Sequence, residues 1–377
     1  METKKYRTRQ EERRLTYPKG KKYIVALDIG YSGTKIFTEN GYICFPTYAK
    51  KLEHGMMSIA DDKDILYRDE SGVYMVGYNA QNMTDDMSTN DTDGELFSRK
   101  RYADKRFKII SNVALALATR NKNDNREIIV ETGLPSSYMN DSDALKKAIC
   151  KPAEFDIKKG SGEWEHYKFD IKENQIDVIP QPSGALYSVM TKNDGQFVDN
   201  VKEIIAGNTL VMDIGFGTFD FYGLKNRMIE CRDSSDEIGM RKVLENTSKK
   251  ILDDTGEEIR VATMQKKLED GCFEAVNEED LTSDTKSIAP YLEKSTDEVF
   301  EEAMNKAKSV TNSFRGYNNL IISGGTGEAW YDKIKGRLKG MKTLKIIPAN
   351  INDQYPLIYS VVRGYYLYCY RVMGIKK

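Results

Sequence analysis

The sequence predicts an α/β fold that is built from two related half-domains. The first observation is a repeat: residues 25–35 and residues 210–220 each contain a hydrophobic run, then an aspartate, then a turn rich in glycine and threonine. The second observation is the order of the segments that follow, since strand-like runs alternate with amphipathic helical segments in both halves. Two such hairpins in one chain predict that the half-domains close on one ligand.

The chemistry of the repeated turns points to a phosphate-bearing ligand. Glycine allows backbone N–H groups to approach an oxyanion closely, and a threonine hydroxyl adds one more donor. Asp28 and Asp213 lie at the ends of the two hydrophobic runs, where a carboxylate would repel a bare phosphate. A hydrated Mg²⁺ between the two groups removes this conflict. The matched pair therefore predicts a magnesium nucleotide, although one such turn alone is also explained as a tight β-turn with a surface aspartate.

Length, charge and cysteine content exclude several classes of protein. The 377 residues suffice for two or three domains, and the formal net charge of −1 gives no overall attraction to nucleic acid or to a membrane surface. Five scattered cysteines without a C-x-x-C pair and only two histidines argue against a zinc site and a histidine-based triad. No apolar run approaches the ~20 residues of a membrane span, and no signal-peptide core is evident. We expect a cytoplasmic protein with no membrane partner.

Residues 1–22 differ in composition from the rest of the chain. Lysine and arginine are crowded there with few apolar side chains, which is typical of a solvated, flexible tail. A basic arm that contacts DNA or an acidic partner is the alternative. We expect the first core strand to begin at Tyr23, so that removal of residues 1–21 leaves the nucleotide cleft intact.

The elements of the first half follow in a regular order from Tyr23. Three short runs predict a strand meander, with the Asn40-Gly41 pair as its second turn. A polar stretch at 46–105 predicts an inserted subdomain with one short strand, and a charged hairpin surrounds Trp164. The predicted strands are 23–27, 34–38, 42–45, 73–77, 128–132 and 176–179, and the predicted helices are 105–120 and one that starts at Pro182.

The second half repeats this order. A meander precedes an amphipathic helix, a charged insertion at 253–290 and a long helix that starts at Pro290. The chain ends in a helix from about 355 to 372, whose apolar stripe is interrupted by Arg363 and Arg371, which favours packing against protein. The remaining predicted strands are 209–213, 218–222, 228–231, 320–323 and 343–347, and the remaining helices are 238–252 and a short one that ends at Leu338.

Two common nucleotide motifs are not found in the sequence. No segment matches G-x-x-x-x-G-K-[ST], and residues 215–220 lack the third glycine of the dinucleotide fingerprint. Five segments instead resemble, in sequence order, the motifs of the actin-like ATPase superfamily, in which two related α/β domains close over ATP. They are the first phosphate loop 28–35, the first connecting segment 179–185, the second phosphate loop 213–220, the adenosine motif 323–327 and the second connecting segment 350–366.

Within this superfamily the chain most resembles the ParM-type plasmid-segregating actins. The resemblance rests on the tract 131–135 (ETGLP), on Tyr138 with the helical tract 144–150, and on the tract 76–80 (VGYNA). It implies two ribonuclease-H-like domains, each with an inserted subdomain, around a nucleotide cleft. Domain I would comprise 23–205 and 345–377 with its insertion at about 46–105, and domain II would comprise 206–344 with its insertion at about 253–290.

The resemblance also implies roles for individual residues. Asp28 and Asp213 would orient Mg²⁺ through its waters, and Gln181 would position the water that attacks the γ-phosphate. A neutral amide is a weak base, so hydrolysis would be slow; the alternative is a polar helix-entry residue between two prolines. Arg241 and Lys242 would clasp ribose and adenine, with a solvated helix face as the alternative. The other implied nucleotide-binding residues are Gly30, Tyr31, Ser32, Gly33, Thr34, Lys35, Gly215, Phe216, Gly217, Thr218, Gly324, Gly325, Thr326 and Gly327.

The function that the resemblance implies is an ATPase that assembles into filaments of its own copies. Such filaments would move plasmid or phage DNA through a DNA-binding adaptor protein, without sequence-specific DNA contacts of their own. ATP with Mg²⁺ is the implied ligand, and GTP remains open. One alternative is a sugar or acetate kinase type of the same fold, although Gln181 is a poor base for an acceptor substrate. The other is a non-segregating cytoskeletal, chaperone-like or membrane-tethered relative, although no peptide-binding domain or amphipathic terminal anchor is evident.

Overall fold

Strands and helices alternate along the chain, which confirms the predicted α/β class. The computed structural model describes residues 2–53, 60–84, 99–150, 152–277 and 279–374. The strands in these ranges are β1 (Glu11–Arg14), β2 (Tyr23–Ile29), β3 (Gly33–Thr38), β4 (Gly41–Pro46), β5 (Ala49–Lys51), β6 (Ile65–Asp69), β7 (Gly72–Val76), β8 (Ile128–Leu134), β9 (Ala153–Lys159), β10 (Glu165–Phe169), β11 (Ile176–Pro180), β12 (Thr209–Ile214), β13 (Phe219–Lys225), β14 (Met228–Ser235), β15 (Cys272–Asn277), β16 (Thr282–Ser287), β17 (Asn319–Ser323) and β18 (Lys345–Pro348).

The helices cover the sheets and fill the two insertions. Within the described ranges, no helix combines the length and the apolar character that a membrane crossing requires. The helices are α1 (Tyr78–Asn82), α2 (Lys105–Thr119), α3 (Ser142–Ile149), α4 (Gln181–Met190), α5 (Val201–Ala206), α6 (Met240–Thr255), α7 (Val261–Asp270), α8 (Ala289–Val310), α9 (Gly325–Leu338) and α10 (Ser360–Cys369).

The first sheet has six strands in the order β1-β4-β3-β2-β8-β11. The meander β2, β3 and β4 is antiparallel, and β8 and β11 continue the sheet in parallel from β2. Alternate residues of β2 enter two different cores: Ile24 and Ala26 pack in the core that contains α10, and Val25 and Leu27 pack in the core that contains α2. Burial on both faces explains why the sequence of β2 is a continuous apolar run.

The insertion sheet combines two segments that are distant in sequence. Strands β5, β6 and β7 come from the predicted insertion at 46–105, and the hairpin around Trp164 completes the order β10-β9-β6-β7-β5. Strand β9 pairs with β6 with Ile157 opposite Tyr67, and the Phe155 ring centre lies 5.1 Å from that of Tyr67. Local periodicity carries no information on long-range strand pairing, so the sequence alone predicts this hairpin as separate from the insertion.

The second sheet repeats the topology of the first, with the order β14-β13-β12-β17-β18. The meander β12, β13 and β14 is antiparallel, and β17 and β18 continue in parallel from β12. Both sheets therefore place a meander and two parallel strands in the same order, as the repeat in the sequence predicts. The insertion predicted at 253–290 contains α7 and the hairpin β15-β16. The domain boundaries themselves stay a prediction.

Helices α4 and α10 cross at two facing glycines. A Cβ atom on Gly364 would lie 1.7 Å from the Gly184 carbonyl oxygen, and one on Gly184 would lie 2.8 Å from Cε1 of Tyr365. Only glycine permits so close an approach, because any side chain would occupy the space of the other helix. Helix α10 packs against β2, while α4 packs against β12 and β17 of the second sheet. The two predicted connecting segments thus join the halves of the molecule.

The N-terminal residues pack against the rest of the protein and do not form the expected tail. Strand β1 pairs antiparallel with β4 at the edge of the first sheet. Tyr17 is 3% exposed, and its ring centre lies 4.8 Å from that of Phe37. The tail prediction for 1–22 differs from the structure because distant acidic residues, among them Glu269 and Glu328, pair with the cations of this segment. Local composition contains no sign of such partners.

Glu131 in β8 is a fully buried acid. Its exposed fraction is 0%, and neither carboxylate oxygen has a hydrogen-bonding partner among the described residues. Burial, together with the charge of Asp177 opposite it on β11, raises the pKa of Glu131 well above its ordinary value. The folded protein therefore favours the neutral form of this side chain.

Replacing this acid with an amide, Glu131→Gln, is expected to raise stability at alkaline pH and to leave it unchanged in acid. Because the folded pKa exceeds the unfolded one, the folded state binds more protons between the two values. The free energy of unfolding then falls as pH rises through this interval, by up to about 1.4 kcal/mol per pH unit. Glutamine has no such proton to lose, so thermal melting from acid to alkaline pH should give a flatter profile. Parallel profiles for both proteins would contradict this prediction.

Candidate functional site

Two loops with the same internal hydrogen bond face one cleft. In the first loop the Gly30 amide donates to the Gly33 carbonyl at 3.1 Å, and in the second the Gly215 amide donates to the Thr218 carbonyl at 2.8 Å. Each loop joins the first two strands of its meander, β2 to β3 and β12 to β13. The repeated sequence therefore folds into two matched turns that belong to different sheets.

The cleft between the loops is a cavity of about 450 Å³, a size typical of small-molecule sites. Most of the residues implied by sequence lie in its walls. Thr34 and Gly327 are outside the described lining: the Thr34 hydroxyl lies 3.0 Å from that of Thr47, and Gly327 packs against Ile322. The expected residues that do line the cleft are Asp28, Gly30, Tyr31, Ser32, Gly33, Lys35, Gln181, Asp213, Gly215, Phe216, Gly217, Thr218, Gly324, Gly325 and Thr326.

Asp28 binds two of the polar residues that the sequence predicts in the first half of the site, Lys35 and Gln181. Asp28 and Lys35 are partners across the β2-β3 ladder, and Lys35 Nζ donates to Asp28 Oδ2 at 2.8 Å. Gln181, the first residue of α4, donates from Nε2 to Asp28 Oδ1 at 3.1 Å. Burial alone would lower the pKa of Lys35, but the charge and hydrogen bond of Asp28 outweigh it and the pKa is raised. Lys35 is therefore a stable cation in the cleft.

Asp213 is a second buried carboxylate, and its negative charge is poorly compensated. It lies in β12 between Asp220 of β13 and Ser323 of β17, whose hydroxyl donates to Asp213 Oδ1 at 2.8 Å. Burial, and then the nearby charge of Asp220, raises the pKa of Asp213 to about 7. An ionised Asp213 is costly in these surroundings, so the cleft favours a bound cation.

Asp220 connects the second sheet to the first half of the molecule. Its Oδ1 accepts a hydrogen bond from the Ser136 amide at 2.9 Å and another from the Ser234 hydroxyl. Nearby, the Tyr138 hydroxyl donates to Asp236 Oδ2 at 2.9 Å. Burial raises the pKa of Asp220 to about 6. These bonds dock the turn after β8 onto the second sheet and hold the two walls of the cleft together.

The two cleft carboxylates suit a magnesium ion that is bound together with phosphates. Mg²⁺ keeps several waters and usually takes only one or two protein carboxylates. Asp28 and Asp213 provide one carboxylate from each half. Among the described residues, no group of three or more His, Cys, Asp or Glu side chains could hold a metal ion. Two carboxylates, one from each half, fit a magnesium ion that takes its other ligands from water and phosphates.

The glycine turn before α9 forms part of the cleft wall beside the second loop. Gly324 has a φ of 86°, and a Cβ atom there would lie 2.2 Å from the Ile214 carbonyl oxygen. The positive φ and the short distance to the carbonyl oxygen both exclude a side chain at position 324. Thr326 Oγ1 donates to the Gly215 carbonyl at 2.6 Å. This bond ties the predicted adenosine motif to the predicted phosphate loop.

Arg241 and Lys242 lie outside the described lining of the cleft. They follow Met240, the first residue of α6, and Met240 is the residue of this helix start that reaches the cleft. Arg241 Nε donates to Glu245 Oε1 at 2.8 Å, along the surface of the same helix. This placement favours the solvated helix face over a ribose and adenine clasp.

Three groups of cleft residues were not identified from the sequence. Residues 5–9 line the cleft, so the expectation that removal of 1–21 leaves it intact is not supported. Arg101 lies before α2 with its guanidinium 4.4 Å from the Tyr31 ring centre. Glu328 and Asp332 lie on α9. Their helical spacing after the glycine turn is a signal that could have found them, whereas the other two groups reach the cleft only through the tertiary fold.

One part of the chain matches a known protein family. Residues 26–184 match the family model described as the N-terminal domain of actin-like proteins. This range extends from β2 to α4, and it contains the predicted first phosphate loop and Gln181. No curated protein sequence matches the chain.

Solved structures resemble the chain over almost its whole length. A non-polymerisable quadruple mutant of pCBH ParM is 20% identical, with a TM-score of 0.68 over 93% of this chain and 99% of that chain. A 15-stranded ParM filament from Clostridium botulinum is 21% identical, with a TM-score of 0.66 over 93% and 99%. The archaeal actin homologue Ta0583 in complex with ADP is 18% identical, with a TM-score of 0.56 over 93% and 99%. These similarities confirm the fold expected from the sequence, the actin-like fold.

Proposed function

We propose that this chain, which has the actin-like fold, binds MgATP in its cleft, hydrolyses it and assembles into filaments in the cytoplasm. The observation that carries the proposal is the pair of matched loops, one from each sheet, that line one cleft with an aspartate beside each loop. The ADP complex of Ta0583 and the filament of the Clostridium botulinum ParM support it. We also propose that the filaments move plasmid or phage DNA through a DNA-binding adaptor.

The residues of both loops would hold the triphosphate. The amides of Gly30–Gly33 and Gly215–Thr218 would donate to phosphate oxygens, and Lys35 would act on them as a point charge. Bound Mg²⁺ supplies further neutralisation of the charge that builds up during phosphoryl transfer. Asp28 and Asp213 would accept hydrogen bonds from the waters of that ion. Since these groups come from both halves, the nucleotide would be held tightly only when the cleft is closed.

Gln181 would orient the attacking water. Its Nε2 donates to Asp28 Oδ1, which leaves Oε1 as an acceptor for an O–H group of water. The amide is too weak a base to remove the proton, so its contribution is orientation and the hydrolysis is slow. Because Gln181 is the first residue of α4, a shift of α4 at its crossing with α10 would also change how Gln181 orients the water.

The far wall of the cleft offers acceptors for the ribose. Glu328 and Asp332 lie on one face of α9, and both line the cleft. Their carboxylates can accept hydrogen bonds from sugar hydroxyls, which ATP and GTP share. We propose ATP as the nucleotide, and direct titration with ATP and GTP distinguishes the two.

MgATP is expected to shift the protein from monomer to filament. A nucleotide that contacts both walls stabilises the closed arrangement, and closure changes the surfaces offered to neighbouring copies. Light scattering should therefore rise with MgATP above a threshold protein concentration and then decay as ATP is consumed. With a non-hydrolysable analogue the signal should last longer.

Sedimentation and negative-stain microscopy supply the outcomes that would contradict this function. A chain that stays monomeric with MgATP at high protein concentration does not form filaments. If that monomer also phosphorylates a small metabolite, the kinase alternative is correct. Filaments that retain plasmid DNA in sedimentation without any added protein would contradict the need for an adaptor.

A further inference from the structure

Residues 3–9 cross the side of the cleft that lies between the two insertions. Strand β1, which follows them, is anchored on the first sheet. The segment itself contacts α7 in the second insertion: the Thr3 hydroxyl donates to the Leu268 carbonyl at 2.9 Å, and the Thr8 amide donates to Gln265 Oε1 at 3.1 Å. The segment is thus fixed to the first half at one end and to the second half along its length.

Arg7 binds both sides of the cleft at once. Its Nη1 donates to the Tyr78 hydroxyl at 2.9 Å and to Glu269 Oε2 at 3.0 Å, and its Nη2 donates to Asn82 Oδ1 at 2.7 Å. The guanidinium also lies 4.0 Å from the centre of the Tyr78 ring. Tyr78 and Asn82 belong to α1, beside the insertion sheet, whereas Glu269 belongs to α7. One side chain therefore joins two elements that must separate if the cleft opens.

The surroundings of Arg7 make these bonds costly to break. The Arg7 side chain is only 4% exposed, and a buried guanidinium that loses its acceptors leaves an uncompensated charge. Helices α1 and α7 also share an apolar cluster through Ala80 and Ala262. Opening would therefore remove charged hydrogen bonds and expose apolar surface in the same movement.

The segment also lies against the phosphate site. Its residues 5–9 line the cleft, and a Cβ atom on Gly33 of the first loop would lie 2.9 Å from Cγ2 of Thr8. Further along, Arg9 forms an ion pair with Glu328 of α9 at 3.1 Å. A ligand between the loops would be covered by this segment, and it could leave past α1 and α7 only if the segment moved.

We propose that residues 3–9 form a latch that retains the nucleotide, with Arg7 as the positioning residue that holds α1 and α7 together over the occupied cleft. The inference rests on the proposed function in taking a nucleotide as the ligand. It assigns to the N-terminal segment a control over nucleotide release, separate from hydrolysis, because Arg7 bonds to neither phosphate loop.

The test is the rate at which a fluorescent ATP analogue leaves the full-length protein when excess unlabelled ATP is added. In Arg7→Ala the release should be about tenfold to a hundredfold faster, as expected for the loss of charged, buried hydrogen bonds. Lys4→Ala is the matched control, since Lys4 pairs with the same Glu269 but is 65% exposed and, among the described residues, forms no hydrogen bond with α1. Its release rate should equal that of the unmodified protein.

Two further variants test whether Arg7 acts by bridging α1 and α7. They distinguish this role from an effect of its charge alone and from a general loss of structure. Arg7→Lys keeps the charge, but a single ammonium group does not reproduce the planar fork of donors, so release should still be faster. Asn82→Ala removes an acceptor of Arg7 on α1, and Asn82 is not part of the described cleft lining, so its release should also be faster. In Asn82→Ala the single-turnover hydrolysis rate at saturating MgATP should stay unchanged, which a general loss of structure would not produce.

The outcomes distinguish the latch from the proposed function. If the unmodified protein binds no nucleotide, the proposed function fails. If it binds the analogue and all three variants release it at the unmodified rate, the latch alone is wrong. Faster release in Lys4→Ala to the same extent as in Arg7→Ala would also overturn it, because bridging would then not matter.

Discussion

Asparagine in place of Asp213 is expected to slow MgATP hydrolysis by about a hundredfold to a thousandfold while the fold is retained. The substitution keeps the size of the side chain and an acceptor for the Ser323 hydroxyl, but it removes the charge that would hold a metal-bound water. Burial already raises the pKa of Asp213 to about 7, so this charge opposes folding. The melting temperature should therefore stay the same or rise.

Asp220→Asn is the matched control for this prediction. Asp220 is also buried, and its pKa is raised to about 6, but it bonds the Ser136 amide and is not part of the described cleft lining. Asparagine keeps an acceptor for the Ser136 amide and removes a buried charge, so the melting temperature should again stay the same or rise, while the hydrolysis rate per folded molecule stays near that of the unmodified protein. If Asp213→Asn and Asp28→Ala both hydrolyse ATP normally at micromolar Mg²⁺, the magnesium role of the two hairpins is wrong.

Removal of the Gln181 side chain, Gln181→Ala, is expected to slow phosphate release by about tenfold to a thousandfold with nucleotide binding preserved. The expected range is that of one lost contact to the attacking water. Asp28 would lose one hydrogen bond but keep its ion pair with Lys35, so the phosphate loops should stay in place. Single-turnover hydrolysis in assembled protein is the measurement, because it separates the chemical step from filament growth.

Gln175→Ala is a suitable control for Gln181→Ala. Gln175 has the same side chain, but its amide donates to the Ile128 carbonyl at 2.9 Å, and it is not part of the described cleft lining. Its replacement should leave single-turnover hydrolysis unchanged. An unchanged rate in Gln181→Ala as well would remove Gln181 from the mechanism and would favour its interpretation as a helix-entry residue.

The two predicted phosphate loops show best what can be predicted from the sequence alone. Asp28 and Lys35 lie seven positions apart on a hairpin, so the pairing of β2 with β3 brings them together with no help from the rest of the fold. The strands 23–27 and 209–213 were also predicted, because each is a short apolar run that ends in a turn of glycines. Interactions between residues that are close in sequence can therefore be predicted from the local sequence pattern.

Contacts between residues that are distant in sequence cannot be predicted from the local sequence pattern. The basic composition of residues 1–22 predicts a solvated tail, yet Arg7 is buried because Tyr78, Asn82 and Glu269 surround it from distant parts of the chain. The family resemblance implies Arg241 as a clasp for ribose and adenine, but Arg241 lies outside the described cleft lining and donates to Glu245 along the surface of α6.

Periodicity and turn chemistry act over a few residues, so the α/β class, the internal repeat and the two aspartate hairpins can be predicted from the amino-acid sequence alone. Long-range packing brings the hairpin around Trp164 into the insertion sheet and places residues 5–9 in the wall of the cleft. It also buries Asp213 beside Asp220. The physical reason is that burial and charge pairing depend on which distant segments come together in space, and one sequence read alone contains no direct record of those encounters.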